Sequence, residues 1–167
     1  EVARFVADRI DRFILSDGVL TIADDTLDIV ARTALLAKAA TRLRTAGLIT
    51  GWRDEKLYVG TPTVATVERA ACRPLGITTT AVHLNAYTNA DTLLVARRAA
   101  HKQIDPGLWD NLVGGMVPAG ESLHQALTRE AFEEAGLQID RVELQRGRWF
   151  QMRRPVIEGL QSEIIHV

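Results

Sequence analysis

Cysteine is almost missing from this chain: Cys72 stands alone among 167 residues. No internal disulfide can form, and one cysteine cannot build a zinc site. So little thiol chemistry fits a reducing, cytoplasmic setting. Long apolar stretches are missing too, with no run of about 18 residues that would span a membrane. Neither sign of charge is in excess, 20 basic side chains standing against 21 acidic ones for a formal net charge of -1. Proteins that grip nucleic acid through its backbone usually carry a basic excess or stripe, so no nucleic-acid partner is expected. Internal repeats, low-complexity tracts and a signal-peptide pattern are likewise absent. Two features at the ends read as those of a fragment: the chain opens on Glu1, and Glu163-Ile164-Ile165-His166-Val167 resembles a strand cut in mid-pattern. What remains is an ordinary globular composition, 47% hydrophobic, able to fold.

The apolar spacing predicts a helix through Val2, Phe5, Val6, Ile10, Phe13 and Ile14, with Arg4, Asp8, Arg9 and Arg12 on the other face. Asp17-Gly18 marks a turn before a short strand, Val19 to Ile22. Asp24, Asp25 or Thr26 can cap an alanine-rich helix that reaches about Ala46 and stops at Gly47. Leu48 to Thr50 and Lys56 to Val59 read as strands joined through residues 51–55. A helix followed by a hairpin also suits a winged-helix DNA reader, but the charge balance leaves no footprint for one; a capping subdomain or dimer contact is the plainer reading. Thr61-Pro62-Thr63 opens a connecting stretch that Arg73-Pro74-Leu75-Gly76 closes, which places a boundary between residues 1–75 and 76–167. Beyond it, Ala81 to Tyr87 and Leu93 to Arg97 read as strands around an Asn89-Ala90-Asp91 turn, and a loop at Asp105-Pro106-Gly107 precedes Trp109 to Val113.

Chemistry concentrates in the helix that follows. Ser122 with Gln125 three residues on forms a capping box, and Gly136 sits where a left-handed cap belongs. At about 100° per residue, Glu134 lies roughly 40° to one side of Glu130 and Glu133 roughly 60° to the other. Three carboxylates thus share one sector, with Leu127, Ala131 and Ala135 in the neighbouring one. Like charges one turn apart repel by about 0.2–0.5 kcal/mol per pair, and the second half of a helix disfavours negative charge. A hard cation reverses that sign, since magnesium takes carboxylate and phosphate oxygens. An acidic pair alone would be a solvated face; the full spacing is what points to a metal. Gly115, Glu121 and Arg129-Glu130-Ala131-Phe132-Glu133-Glu134-Ala135-Gly136-Leu137 fill every fixed place of G-x5-E-x7-R-E-U-x-E-E-x-G-U, with U an apolar residue.

That motif resembles the Nudix hydrolases. The resemblance implies an α/β fold, an α/β/α sandwich around a mixed sheet, preceded here by a small helical α+β domain. It implies cleavage of a small-molecule diphosphate with Mg2+, or Mn2+ in its place. Glu130, Glu133 and Glu134 would be metal ligands, with a carbonyl of Gly114 or Gly115. Arg129 and Glu121 would brace the loop against the helix, Gly115 and Gly136 would be structural, and Glu133 or Glu134 would serve as general base. Arg97, Arg98 and Lys102 suit phosphate oxygens, and Trp109 could stack on a substrate ring or simply pack. A homodimer is compatible with the superfamily.

The runs His83-Leu84-Asn85-Ala86-Tyr87, Leu94 to Arg98, Pro106 to Asn111 and Gly51 to Glu55 are similar to a subgroup that includes the Nudix part fused to thiamine pyrophosphokinase in some yeasts. This makes thiamine diphosphate, or its oxidised analogues, a candidate substrate. Isopentenyl-diphosphate isomerases share the fold and resemble Pro106 to Asn111, but they use an active-site cysteine where this chain has Gly114. A non-catalytic binding module is the other alternative, although decayed boxes usually lose a carboxylate and none is lost here. Only Val142 to Val167 follow the box, with strand candidates at Trp149 to Met152 and Ile164 to Val167, so the sandwich is expected to be truncated at its C-terminus and Glu163 is the one late acid to watch.

Overall fold

The computed structural model describes residues 1–88, 92–101 and 106–167. They divide into two compact units, the first comprising Glu1–Thr79 and Met152–Glu163 and the second Thr80–Gln151 and Ile164–Val167. Residues 152–163, which a division at 75/76 assigns to the second domain, group with the first unit.

In the first unit, α1 (Val2–Arg9) ends earlier than its apolar spacing suggests. Arg12 has a φ of 74°, which a helix cannot continue through. Phe13–Ser16 becomes strand β1, paired antiparallel with β2 (Val19–Ile22) around Asp17 and Gly18. Both turn residues have positive φ, the condition for a two-residue hairpin whose twist matches its strands. The long helix α2 (Ile29–Thr45) starts after Asp28, whose side chain accepts from the Ala31 N–H at 2.8 Å. Asp24 is occupied elsewhere, accepting from Thr26 and pairing with Arg12, contacts that hold its carboxyl below the usual range. Leu36, Ala39, Ala40 and Leu43 form the buried stripe of α2, which packs on strand β4 (Ala65–Glu68). The expected strand at Leu48 to Thr50 does not form. Strand β3 (Lys56–Val59) pairs with β4 instead, in the register Lys56↔Glu68, so residues 60–64 are a hairpin turn and not the start of a linker.

The short helix α3 (Arg69–Cys72) buries Cys72, and burial, aided by the nearby Glu68 carboxylate, pushes its thiol up to about 12. At pH 8 the residue is therefore a buried thiol with almost no thiolate. A thiol reagent such as Ellman's should leave the native protein unlabelled at that pH and label one group per chain in denaturant. Prompt labelling of the folded protein would show that this packing is wrong.

In the second unit, β5 (Thr79–Leu84) stops before Asn85 rather than running on to Tyr87. From Ala81 to Leu84 it pairs antiparallel with β9 (Val113–Met116). After the break, β6 (Ala86–Tyr87), β7 (Leu93–Arg97) and β8 (Trp109–Asn111) form a separate three-stranded antiparallel sheet. Helix α4 (Leu123–Ala135) begins at the Ser122–Gln125 capping box and ends at Gly136 with φ 64°, both as its sequence specifies. It packs on β9, with Ala126 buried beside Val82 and Val117, and Ala131 beside Val113 and Ile139. Ala131 has no exposed surface, so a larger side chain there would push the helix off the strand.

The last two strands are longer than expected, β10 spanning Trp149–Val156 and β11 Gly159–His166. The four-stranded sheet runs in the order β10-β11-β5-β9. The proposed turn at 89–91 lies outside the described residues. Among the described residues no helix is long and apolar enough to cross a membrane.

Candidate functional site

Strand β9 and the helix α4 are built so that a glycine pair meets the acidic sector. Strand register places His83 opposite Gly114 and Val82 opposite Gly115. Gly115 leaves room for the Glu130 side chain: a Cβ there would overlap the Glu130 carboxyl group, far inside van der Waals contact. One residue earlier, the Gly114 N–H donates to Glu134 Oε2 at 3.0 Å. Glu133 stands free of the strand, 57% exposed.

Arg129 organises the rest. Its Nε and Nη2 donate to the two oxygens of Glu121 at 3.1–3.3 Å, its Nη1 to Glu130 at 2.7 Å, and its Nη2 to the Met116 carbonyl at 3.4 Å. Nη1 also reaches Glu133 Oε2 at 3.4 Å. A planar guanidinium with five donors can serve this many acceptors, whereas an ammonium could not. Its hydrogen bonds to Glu121 and Glu130 hold it firmly protonated. Glu130 responds differently. Burial pushes its carboxyl upward against the pull of Arg129, and the neighbouring Glu134 and Glu133 charges push the same way. That carboxylate is short of positive charge even with Arg129 beside it.

As the side chains stand, no three acidic, histidine or cysteine groups among the described residues form a metal cage. Glu130 and Glu133 face Arg129, and Glu134 faces the Gly114 amide. The donor set still suits a hard divalent cation. It consists of oxygens, it is enriched in negative charge, and the cradle left by Gly115 holds one carboxylate where a side chain on the strand would exclude it.

The proposed phosphate contacts are dispersed along β7 and β8. Arg97 is exposed and gives its Nε to the Gly107 carbonyl at 3.1 Å; Arg98 is paired with Asp110 at 2.7 Å. Trp109 is 70% exposed, so it is not a packing residue. It pairs directly with Arg97 across the β7–β8 ladder, placing the two on one face. Lys102 lies outside the described residues. Glu163 is buried in the first unit, accepting from Gln161 Nε2 at 2.8 Å and lying 3.7 Å from Arg73. The first unit also holds a cavity of about 450 Å³ lined by Phe13, Ile22, Arg32, Leu36 and Val59 among others, and none of the residues singled out for chemistry lines it.

One part of the site escapes motif reading. His83 Nδ1 lies 2.9 Å from Asn111 Oδ1, and the Asn111 amide donates in turn to Asn85 Oδ1. The signal available was alternation, since His83 and Asn85 are two apart on an extended segment and so face the same way.

Known proteins similar to this chain share one family. A chloroplastic Nudix hydrolase 20 of Arabidopsis thaliana is 33% identical over 78% of this chain. An isopentenyl-diphosphate Delta-isomerase of Mycolicibacterium vanbaalenii is 35% identical over 57% of it. The chain spans only 35% of the plant protein's length and 50% of the isomerase's. The crystal structure of DR0079 from Deinococcus radiodurans aligns over 67% of this chain and 71% of its own, with 24% identity and a TM-score of 0.48. Residues 77–166, more than half of the sequence, match the NUDIX domain. The chain belongs to the Nudix family, with that family's α/β fold.

Proposed function

We propose that this chain is a magnesium-dependent pyrophosphohydrolase acting on a small-molecule diphosphate, with manganese able to replace magnesium. The observation that carries the reading is the seating of Glu130 against Gly115, with Glu133 and Glu134 on the same helix sector. Glu130, Glu133 and Glu134 are the ligands, with a carbonyl of the glycine pair. A divalent cation held there would supply neutralisation of the diphosphate charge and activation of water. Arg129 keeps Glu121 and Glu130 in place from the other side. Glu133 and Glu134, both exposed, are the groups able to take a proton from an attacking water. Arg97 and Trp109, neighbours on one sheet face, suit a substrate that joins phosphate to a flat ring. Thiamine diphosphate and its oxidised analogues have that chemistry, and the similarity of residues 83–87 and 106–111 to the thiamine-related subgroup supports them. The buried lone thiol is compatible with a cytoplasmic location.

The isomerase relative keeps a second reading in view. The position its chemistry needs for cysteine is Gly114 here, and Cys72 is a buried thiol in the other unit. Both readings are tested by following phosphate and monophosphate release from nucleoside diphosphate sugars, dinucleotides, oxidised nucleoside triphosphates, thiamine diphosphate and isopentenyl diphosphate. Release from one class with magnesium, abolished by chelator, is the expected result. Silence across the panel from folded protein, or isomerisation of isopentenyl diphosphate without release, would overturn the hydrolase reading.

A further inference from the structure

We infer that His83 is a positioning residue for the metal site, its ring locked by Asn111 and Asn85 and packed against Gly114 so that the Gly114 amide holds Glu134. The inference rests on the metal-site reading of α4 and the glycine pair. It starts from hydrogen-bond direction. The Asn111 NH2 group donates to Asn85 Oδ1, which turns Asn111 Oδ1 toward His83. An amide oxygen only accepts, so the His83 Nδ1 that meets it carries a hydrogen. The network thereby fixes the rotation of the ring.

The locked ring presents its Cδ2–Nε2 edge to Gly114. A Cβ at Gly114 would stand 3.2 Å from both Cδ2 and Nε2, tighter than ordinary contact, so the ring fills the space a side chain would need. The pairing is direct, because His83 and Gly114 are opposite residues in the β5–β9 ladder. On its other side the Gly114 N–H meets Glu134 Oε2 at 3.0 Å. A continuous path therefore runs from Asn85 through Asn111, His83 and Gly114 to an acid of the Nudix box, all within the second unit. Groups that orient metal ligands without touching the metal commonly change metal affinity by about 10–100-fold when removed.

The experiment is a double-substitution cycle read by electron paramagnetic resonance of Mn2+, which reports binding without turnover. His83→Ala should weaken Mn2+ binding about tenfold with an unchanged Glu134 side chain, and excess metal should restore kcat at an unchanged KM for substrate. Gly114→Ala should do the same by pushing against the ring. In the double variant the new methyl occupies the space the ring has left, so the loss should not exceed that of the worse single variant. Nitrogen-15 spectra of the wild-type imidazole should show a hydrogen held on Nδ1, and Asn111→Leu should release it. Wild-type binding retained in His83→Ala, or losses that simply multiply, would overturn the inference and leave the hydrolase reading intact. Failure of the wild-type protein to bind Mn2+ would overturn both. If His83→Ala does not fold, Gly114→Ala decides alone, and unaltered Mn2+ affinity there is the contrary result.

Discussion

Glu134→Gln is expected to lower metal-dependent turnover by more than about a hundredfold, the upper end of what losing even an outer-sphere partner costs a metal site. The substitution is close to isosteric. The amide oxygen of glutamine can still accept from the Gly114 N–H, so the contact at 3.0 Å need not open. What disappears is one negative charge facing the cation and the diphosphate. Folding should hardly notice, because the side chain is exposed and surface changes away from special features usually stay within about 0.5 kcal/mol. Removing one of three mutually repelling acids can even raise stability slightly in the absence of metal. Thermal melting and Mn2+ titration on the same preparation separate the two effects. Normal turnover by a folded Glu134→Gln protein would remove Glu134 from the metal site.

How much of this was readable beforehand follows from the range of the forces involved. Helix α4 was legible from end to end, because its capping box, apolar stripe and Gly136 terminator are local and agree with one another. The acidic sector was legible for the same reason, being fixed by helical periodicity alone. The start of the chain was not. Phe13 and Ile14 continue the apolar spacing of α1, yet Asp17-Gly18 closes a hairpin that claims them for β1, and pairing with Ile22 and Thr21 outweighs helical propensity. Likewise Leu48 to Thr50 has strand composition, but β3 finds its partner in β4 across a turn that resembled a linker. Long-range partners were hidden in the site as well. Nothing in the motif says that Arg98 is engaged by Asp110, or that His83 is held by an asparagine 28 residues away. Exposure of Trp109 was equally invisible, since an aromatic residue ahead of a core strand usually packs and this one does not.

Gly115→Ala should be the sharper test, because it separates the fold from the site by adding one methyl group. Gly115 is not among the residues with positive φ, so alanine can adopt its backbone conformation. At such positions the exchange commonly stabilises a protein by about 0.4–1 kcal/mol through the unfolded chain. The three atoms that the new Cβ would meet most closely all belong to the Glu130 side chain, which is flexible. Glu130 can swing toward solvent, and its burial already disfavours the charged form, so leaving the cradle relieves desolvation while surrendering the contact to Arg129. The melting temperature should therefore stay within a few degrees of wild type. Metal binding should not survive as well, since the carboxylate that leaves is the one seated in the Gly115 cradle. Turnover is expected to fall at least as far as in Glu130→Gln, and combining the two substitutions should add little, because both empty the same cradle. A Gly115→Ala protein with wild-type Mn2+ affinity and turnover would mean that Glu130 does its work from another position, and that the fit between glycine and carboxylate is packing alone.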